Sequence, residues 1–121
     1  MENGVEGNIR VTVSGSFNRS WGTVLKAIDE FKAAGLEVLS PKGTELDATE
    51  DGFVYLKGET GRPQDIERHH LAAIARSHAL YVVTSEGYVG RSVALEIGYA
   101  LAVGVPVWSS EPIAEVPPSF G

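Results

Sequence analysis

Four short runs rich in β-branched and apolar residues, IRVTVSG (9–15), LEVLSP (36–41), ALYVVT (79–84) and VPVW (105–108), are spread along the chain with helix-like stretches between them. This alternation is what most narrows the fold. Strands separated by a helix's length of sequence run parallel, and a parallel sheet has to be covered on both faces. The expectation is an α/β fold: a small, doubly wound domain of the flavodoxin/Rossmann-like kind, with a parallel sheet and helices on both faces. FVYL (53–56) reads as a short edge strand beyond a polar, turn-rich segment at 42–52.

The intervening stretches carry helical periodicity. Trp21, Val24, Leu25, Ile28 and Phe31 recur at three- and four-residue spacing, with Ser20 placed as N-cap and Gly35 at the end. A second helix begins at Pro63, with Asp65 and Glu67 in an opening turn that favours acids and leaves them solvated. Ile66, His70 and Ile74 follow at intervals of four, so they share one face; the two isoleucines make it the buried one and turn His70 inward. A third helix covers 92–103, and SSEPIAEVPPSFG at the end reads as an irregular tail.

Composition bounds what such a domain does. The 121 residues, 43% hydrophobic and 21% charged, suit one domain with a real core, here expected to span 1–121. No run is long and apolar enough to span a bilayer and the first ten residues lack a secretory pattern, so the expectation is a cytoplasmic protein without membrane contact. With no cysteine, and with His69, His70 and His78 outside any ligand spacing, neither a metal nor another cofactor is expected. A net charge of −6 without a basic patch argues against binding a nucleic acid polymer.

In an open parallel sheet, ligands bind beyond the carboxyl ends of the strands. Two loops leave strand ends there with glycine and hydroxyl residues, SGSFNRS (14–20) and SEGYVGRS (85–92), and each leads into a helix N-terminus that favours an anion. Neither is a known phosphate fingerprint, and turn chemistry alone accounts for such residues equally well. Glu96 is the sharper signal. It lies in GRSVALEIGYALAVG (90–104), the single charge after Arg91, in a helix apolar nearly all round. An unpaired carboxylate buried there would cost several kcal/mol, so Glu96 is hydrogen-bonded, protonated or facing a polar cavity, unless it sits at a partly exposed helix edge. The same helix is too apolar for one sheet to cover, which points to a homodimer or higher oligomer.

ALYVVTSEGYVGRSVALEIGYALAVGVPVW (79–108), with VSGSF in the first loop, resembles the nucleoside 2-deoxyribosyltransferase superfamily, which includes the deoxynucleoside 5'-monophosphate N-glycosidases. The most specific element is the E-[ILV]-G-[YF]-A pattern at 96–100. The resemblance implies that Glu96 is a nucleophile attacking the anomeric carbon of the sugar, with the glycosyl ester resolved by water or by another base. It implies a nucleoside or nucleotide ligand held by Gly15, Ser16 and Phe17, with Asn18, Arg19 and Ser20 just beyond in the phosphate-binding position. Tyr88, Gly90 and Ser92 correspond to the loop around the sugar or 5'-phosphate. The aspartate that assists the leaving base in the superfamily falls by spacing on His70, and the acid closing that helix falls on His78. His70 is then either a proton donor or a core histidine satisfied by a backbone carbonyl. Two functions stay open: an N-glycosidic bond enzyme, hydrolysis slightly ahead of base exchange, and a non-catalytic nucleotide-binding or sensing domain.

Overall fold

The structure is a computed structural model that describes residues 8–43, 46–50, 53–56, 59 and 61–113; the side chains of 17, 18, 46–50 and 53–55 fall outside that description. Its elements, in order, are β1 (Arg10–Gly15), α1 (Phe17–Ala33), β2 (Glu37–Ser40), β3 (Leu46–Glu50), β4 (Phe53–Leu56), α2 (Pro63–Ala75), β5 (Ala79–Val83), α3 (Arg91–Ala102) and β6 (Val107–Ser109). A four-stranded sheet runs in the order β2-β1-β5-β6, and every pairing in it is parallel.

The order states how the chain is wound. From β1 it crosses by α1 to β2 on one side, and later returns to place β5 on the other side of β1, so the winding reverses between β1 and β5. Side-chain alternation along β1 builds the two layers. Val11 and Val13 join Val24, Ala27 and Ile28 of α1, with Val38 and Val83, in one core. The opposite face holds Leu80 and Val82 of β5 against Ile74 of α2 and Val93 and Ala100 of α3. This is the small, doubly wound, flavodoxin/Rossmann-like α/β arrangement with helices on both faces. On the α1 side Phe31 meets Tyr81 edge to face, ring centres 5.1 Å apart.

Gly15 shows how closely the layers approach. A Cβ built there would lie 2.9 Å from Val24 Cγ2 and 3.2 Å from both Cβ and the carbonyl oxygen of Val83. Val24 is β-branched and fully buried, so it cannot rotate away. Gly15→Ala is therefore expected to destabilise the fold by about 1–3 kcal/mol, the usual range for overpacking. A denaturant midpoint unchanged from wild type would contradict that.

Three expectations are corrected. Ser20 is not the N-cap of α1: the helix begins at Phe17, Ser16 caps it by accepting from Arg19 N at 3.2 Å, and Ser20 is a buried break with non-helical φ/ψ inside the helix. The segment at 42–52 is not all turn, because β3 lies within it and pairs antiparallel with β4. That pairing also takes FVYL away from the edge of the main sheet into a separate two-stranded one. The Asp51-Gly52 dipeptide between the two runs is the hairpin signal that marks this unit in the sequence. The tail beyond residue 113 lies outside the described residues.

Candidate active site

The carboxyl ends of β1 and β5 meet at the reversal of winding, and both loops expected to matter leave the sheet there. Arg19, in the first turn of α1, lays its guanidinium over the ring of Tyr88 from the second loop, 3.9 Å from the ring centre. The two loops thus form one surface. Gly90 is the N-cap of α3, extended and without a side-chain cap, and a Cβ there would come within 3.3 Å of the Tyr88 hydroxyl. Ser92 is exposed in the first turn of α3, next to that uncapped end.

The second loop is tied down by the residues that follow the neighbouring strand β6. Glu111 Oε1 accepts from Thr84 Oγ1 at 3.2 Å and from the Gly87 amide at 3.3 Å, while Ser110 Oγ accepts from the Thr84 amide at 3.0 Å. Glu86 and Gly87 both take positive φ to make the turn.

Glu96 is 5% exposed, on the face of α3 turned to α2 and β1. Its Oε1 lies 3.5 Å from His70 Nε2. His70 comes from the inner face of α2 and is gripped on both nitrogens, by Ser14 Oγ of β1 at 3.1 Å from Nε2 and by Ser40 Oγ of β2 at 2.6 Å from Nδ1. An ionised carboxylate only accepts, so the nitrogen facing it bears a hydrogen, while the other shares a hydrogen bond with the Ser40 hydroxyl. Ser14 and Glu67 lie near enough to Glu96 to help hold its charge.

Glu67 is the residue that the sequence placed wrongly. It is not free at the surface: it is half-buried, and its Oε2 is enclosed without a hydrogen-bond partner. Burial, reinforced by the charge of Glu96, pushes Glu67 up to about 9. Burial opposes the charge on Glu96 as well, but His70, Glu67 and Ser14 outweigh it and hold its carboxyl below the usual range. Asp65, by contrast, stays at the surface, paired with Arg62 at 3.0 Å.

This pair makes stability depend on pH. Glu67 has a raised value when folded, so its contribution is full below its ordinary 4.5 and is lost as pH rises toward about 9. Glu96 has a lowered value, so its contribution is present above 4.5 and is lost as pH falls through its folded value. The melting temperature of wild type relative to Glu67→Gln is therefore expected to decline steadily from about pH 4.5 to 9. A constant difference across that window would mean that Glu67 ionises freely.

Of the expected site residues, the structure brings Glu96 and His70 into contact, and separately joins Arg19 to Tyr88 and Gly90. Gly15 and Ser16 are at the β1 end as expected, with packing and capping roles of their own; Ser20 is buried in the α1 break; the side chains of Phe17 and Asn18 lie outside the described residues. His78 lies beyond the end of α2 and accepts from the Arg10 amide at 2.9 Å, at the opposite end of β1. Reading the sequence missed Glu67, Ser14, Ser40 and Glu111. Glu67 was visible as the position one turn before His70, and Ser14 as a polar position on the α2–α3 face of a central strand. Among the described residues no group of three His, Asp or Glu side chains is arranged to hold a metal ion, and no helix is long and apolar enough to cross a membrane. No family model, curated protein or solved structure matches the chain.

Proposed function

We propose that this protein cleaves the N-glycosidic bond of a nucleoside or nucleoside 5'-monophosphate, by hydrolysis ahead of base exchange, with Glu96 as nucleophile and His70 beside it. The observation that carries this reading is the buried Glu96 carboxylate held ionised by His70 and Ser14 at the carboxyl edge of the sheet. A carboxylate in a water-poor site stabilises an oxocarbenium-like transition state and forms a glycosyl ester that divides one hard step into two easier ones. The imidazole, fixed by two serines, keeps that carboxylate charged and aimed.

A 5'-phosphate fits the surface where Arg19 and Tyr88 meet, close to the starts of α1 and α3, with Ser92 as a further donor. Arg19→Ala is expected to raise KM for monophosphates about 10-fold or more, one charge-assisted contact's worth, while leaving KM for the matching nucleosides unchanged. Equal effects on both would remove the phosphate from the proposal. Incubation with nucleosides and 5'-monophosphates, followed by chromatography for free base, tests the activity itself; no base released from any of them would overturn the reading.

The working form is a homodimer in the cytoplasm. On α3, Leu95 and Leu101 are 54% and 63% exposed, with Val103 just beyond at 46%, and Ala94, Gly98 and Ala102 complete an uncharged exposed face. Small residues there let a second copy of the helix approach closely. Light scattering is expected to give a dimer mass at micromolar concentration, reduced to a monomer by Leu101→Glu. A monomeric wild type would contradict this.

A further inference from the structure

We propose that Glu111 is a positioning residue for ligand binding: it braces the turn at 85–88 so that the Tyr88 ring stands against the Arg19 guanidinium, where the phosphate of a nucleoside 5'-monophosphate is taken up. This rests on the phosphate-binding reading above.

The turn does not support itself. Ser85 and Tyr88 make one antiparallel bridge, closed by the Tyr88 amide donating to the Ser85 carbonyl at 3.0 Å, and the two residues between them, Glu86 and Gly87, both take positive φ, 56° and 79°. A two-residue turn of this kind normally joins two strands whose ladder holds it in place, and here the ladder is a single bridge. Glu86 adds a left-handed conformation that a residue with a side chain keeps only when its surroundings impose it. Gly87 is buried, and the turn's own hydrogen bond does not use its amide.

Glu111 supplies the support. Its Oε1 accepts both from that amide at 3.3 Å and from Thr84 Oγ1 at 3.2 Å, so one oxygen pins the turn to the end of β5. Glu111 is itself fixed: the Ser109 hydroxyl donates to its carbonyl at 2.7 Å, and Ser110 beside it donates its amide to the Val82 carbonyl and accepts from the Thr84 amide. The brace therefore runs from the sheet through Glu111 to the turn. Tyr88 passes it on, because its ring lies 3.9 Å from Arg19 and its hydroxyl stands beside Gly90 at the start of α3. A guanidinium on a long, rotatable stem gains a fixed place from a ring that is fixed.

The sign of the expected effect separates bracing from charge. Glu111 is an acid beside a surface that takes an anion, so its charge alone opposes binding and its removal would tighten it. Loss of a brace weakens binding instead.

The test compares wild type, Glu111→Ala, Glu111→Gln, Arg19→Ala and the Arg19→Ala, Glu111→Ala double variant on a deoxynucleoside 5'-monophosphate. Glu111→Ala is expected to raise KM about 10-fold, as Arg19→Ala does, with kcat unchanged. Glu111→Gln keeps an accepting Oε1 and is expected to stay within about twofold of wild type. Because Glu111 acts through Arg19, the double variant is expected to be no worse than Arg19→Ala alone. Proton NMR gives a readout free of turnover: the Arg19 side-chain resonances, shifted upfield by the Tyr88 ring in wild type and in Glu111→Gln, are expected to return to ordinary arginine positions in Glu111→Ala. A KM that falls or stays unchanged in Glu111→Ala overturns the proposal. So do additive effects in the double variant, or an Arg19 shift that survives in Glu111→Ala. A wild type that binds the monophosphate but releases no base overturns the glycosidic reading alone; Kd by calorimetry then replaces KM, with the same expected and overturning results. A wild type that neither cleaves nor binds it overturns both.

Discussion

Glu96→Gln is expected to lower base release by about 10³-fold or more, the scale for removing a covalent nucleophile, while the protein stays folded. The substitution is nearly isosteric. Its amide keeps one oxygen that can accept from His70 or Ser14, so the contact between α2 and α3 survives. What it removes is the charge that would meet an oxocarbenium-like centre and the oxygen that would form the ester. Ligand binding, measured by calorimetry with an unreacted monophosphate, is expected to persist within a few-fold. Near-normal turnover in a folded Glu96→Gln protein would remove Glu96 from the chemistry.

His70→Ala is expected to be costly in two ways that can be measured apart. It strips partners from Ser14, Ser40 and Glu96 at once, and breaking up a buried charged cluster in this way costs about 3–5 kcal/mol. Glu96 also loses the group that does most to keep it ionised, so its carboxyl titrates at higher pH. The acid limb of the activity profile should therefore move to higher pH, and at neutral pH turnover per folded molecule should fall. A variant that loses stability with an unmoved acid limb would make His70 a purely structural residue.

How much of this was readable in advance follows from range. The sheet was legible because each strand in IRVTVSG, LEVLSP and ALYVVT states its own burial locally, and the helices because Trp21 to Phe31 and Ile66 to Ile74 state theirs by period. β6 falls at Val107–Ser109, offset from VPVW, because Pro106 has no amide to give. Glu96 and His70 were legible as a polar residue in an apolar helix and an imidazole on a buried face. Glu67 was not, since the first turn of a helix is where solvated acids belong, and only the packing of α3 on α2 decides otherwise. Nor were the serines: what makes Ser14 and Ser40 ligands of His70 is a contact between positions 56 and 30 residues away.

The pairing of β1 with β5, which joins Val11 to Ala79, sets the order of events when the chain folds. Such distant parallel pairing closes a long loop and forms late. Until it forms, Ser14 is not at the site and α3 has no sheet to hold it against α2, so Glu67 and Glu96 are two ordinary solvated acids, both ionised at neutral pH. In the native protein Glu67 holds a proton. Refolding at neutral pH therefore takes up a proton from solvent, and it does so at the moment the centre of the sheet closes. A pH-indicator dye in a stopped-flow refolding experiment would read that uptake as a clock for assembly of the site, separate from the earlier appearance of helix.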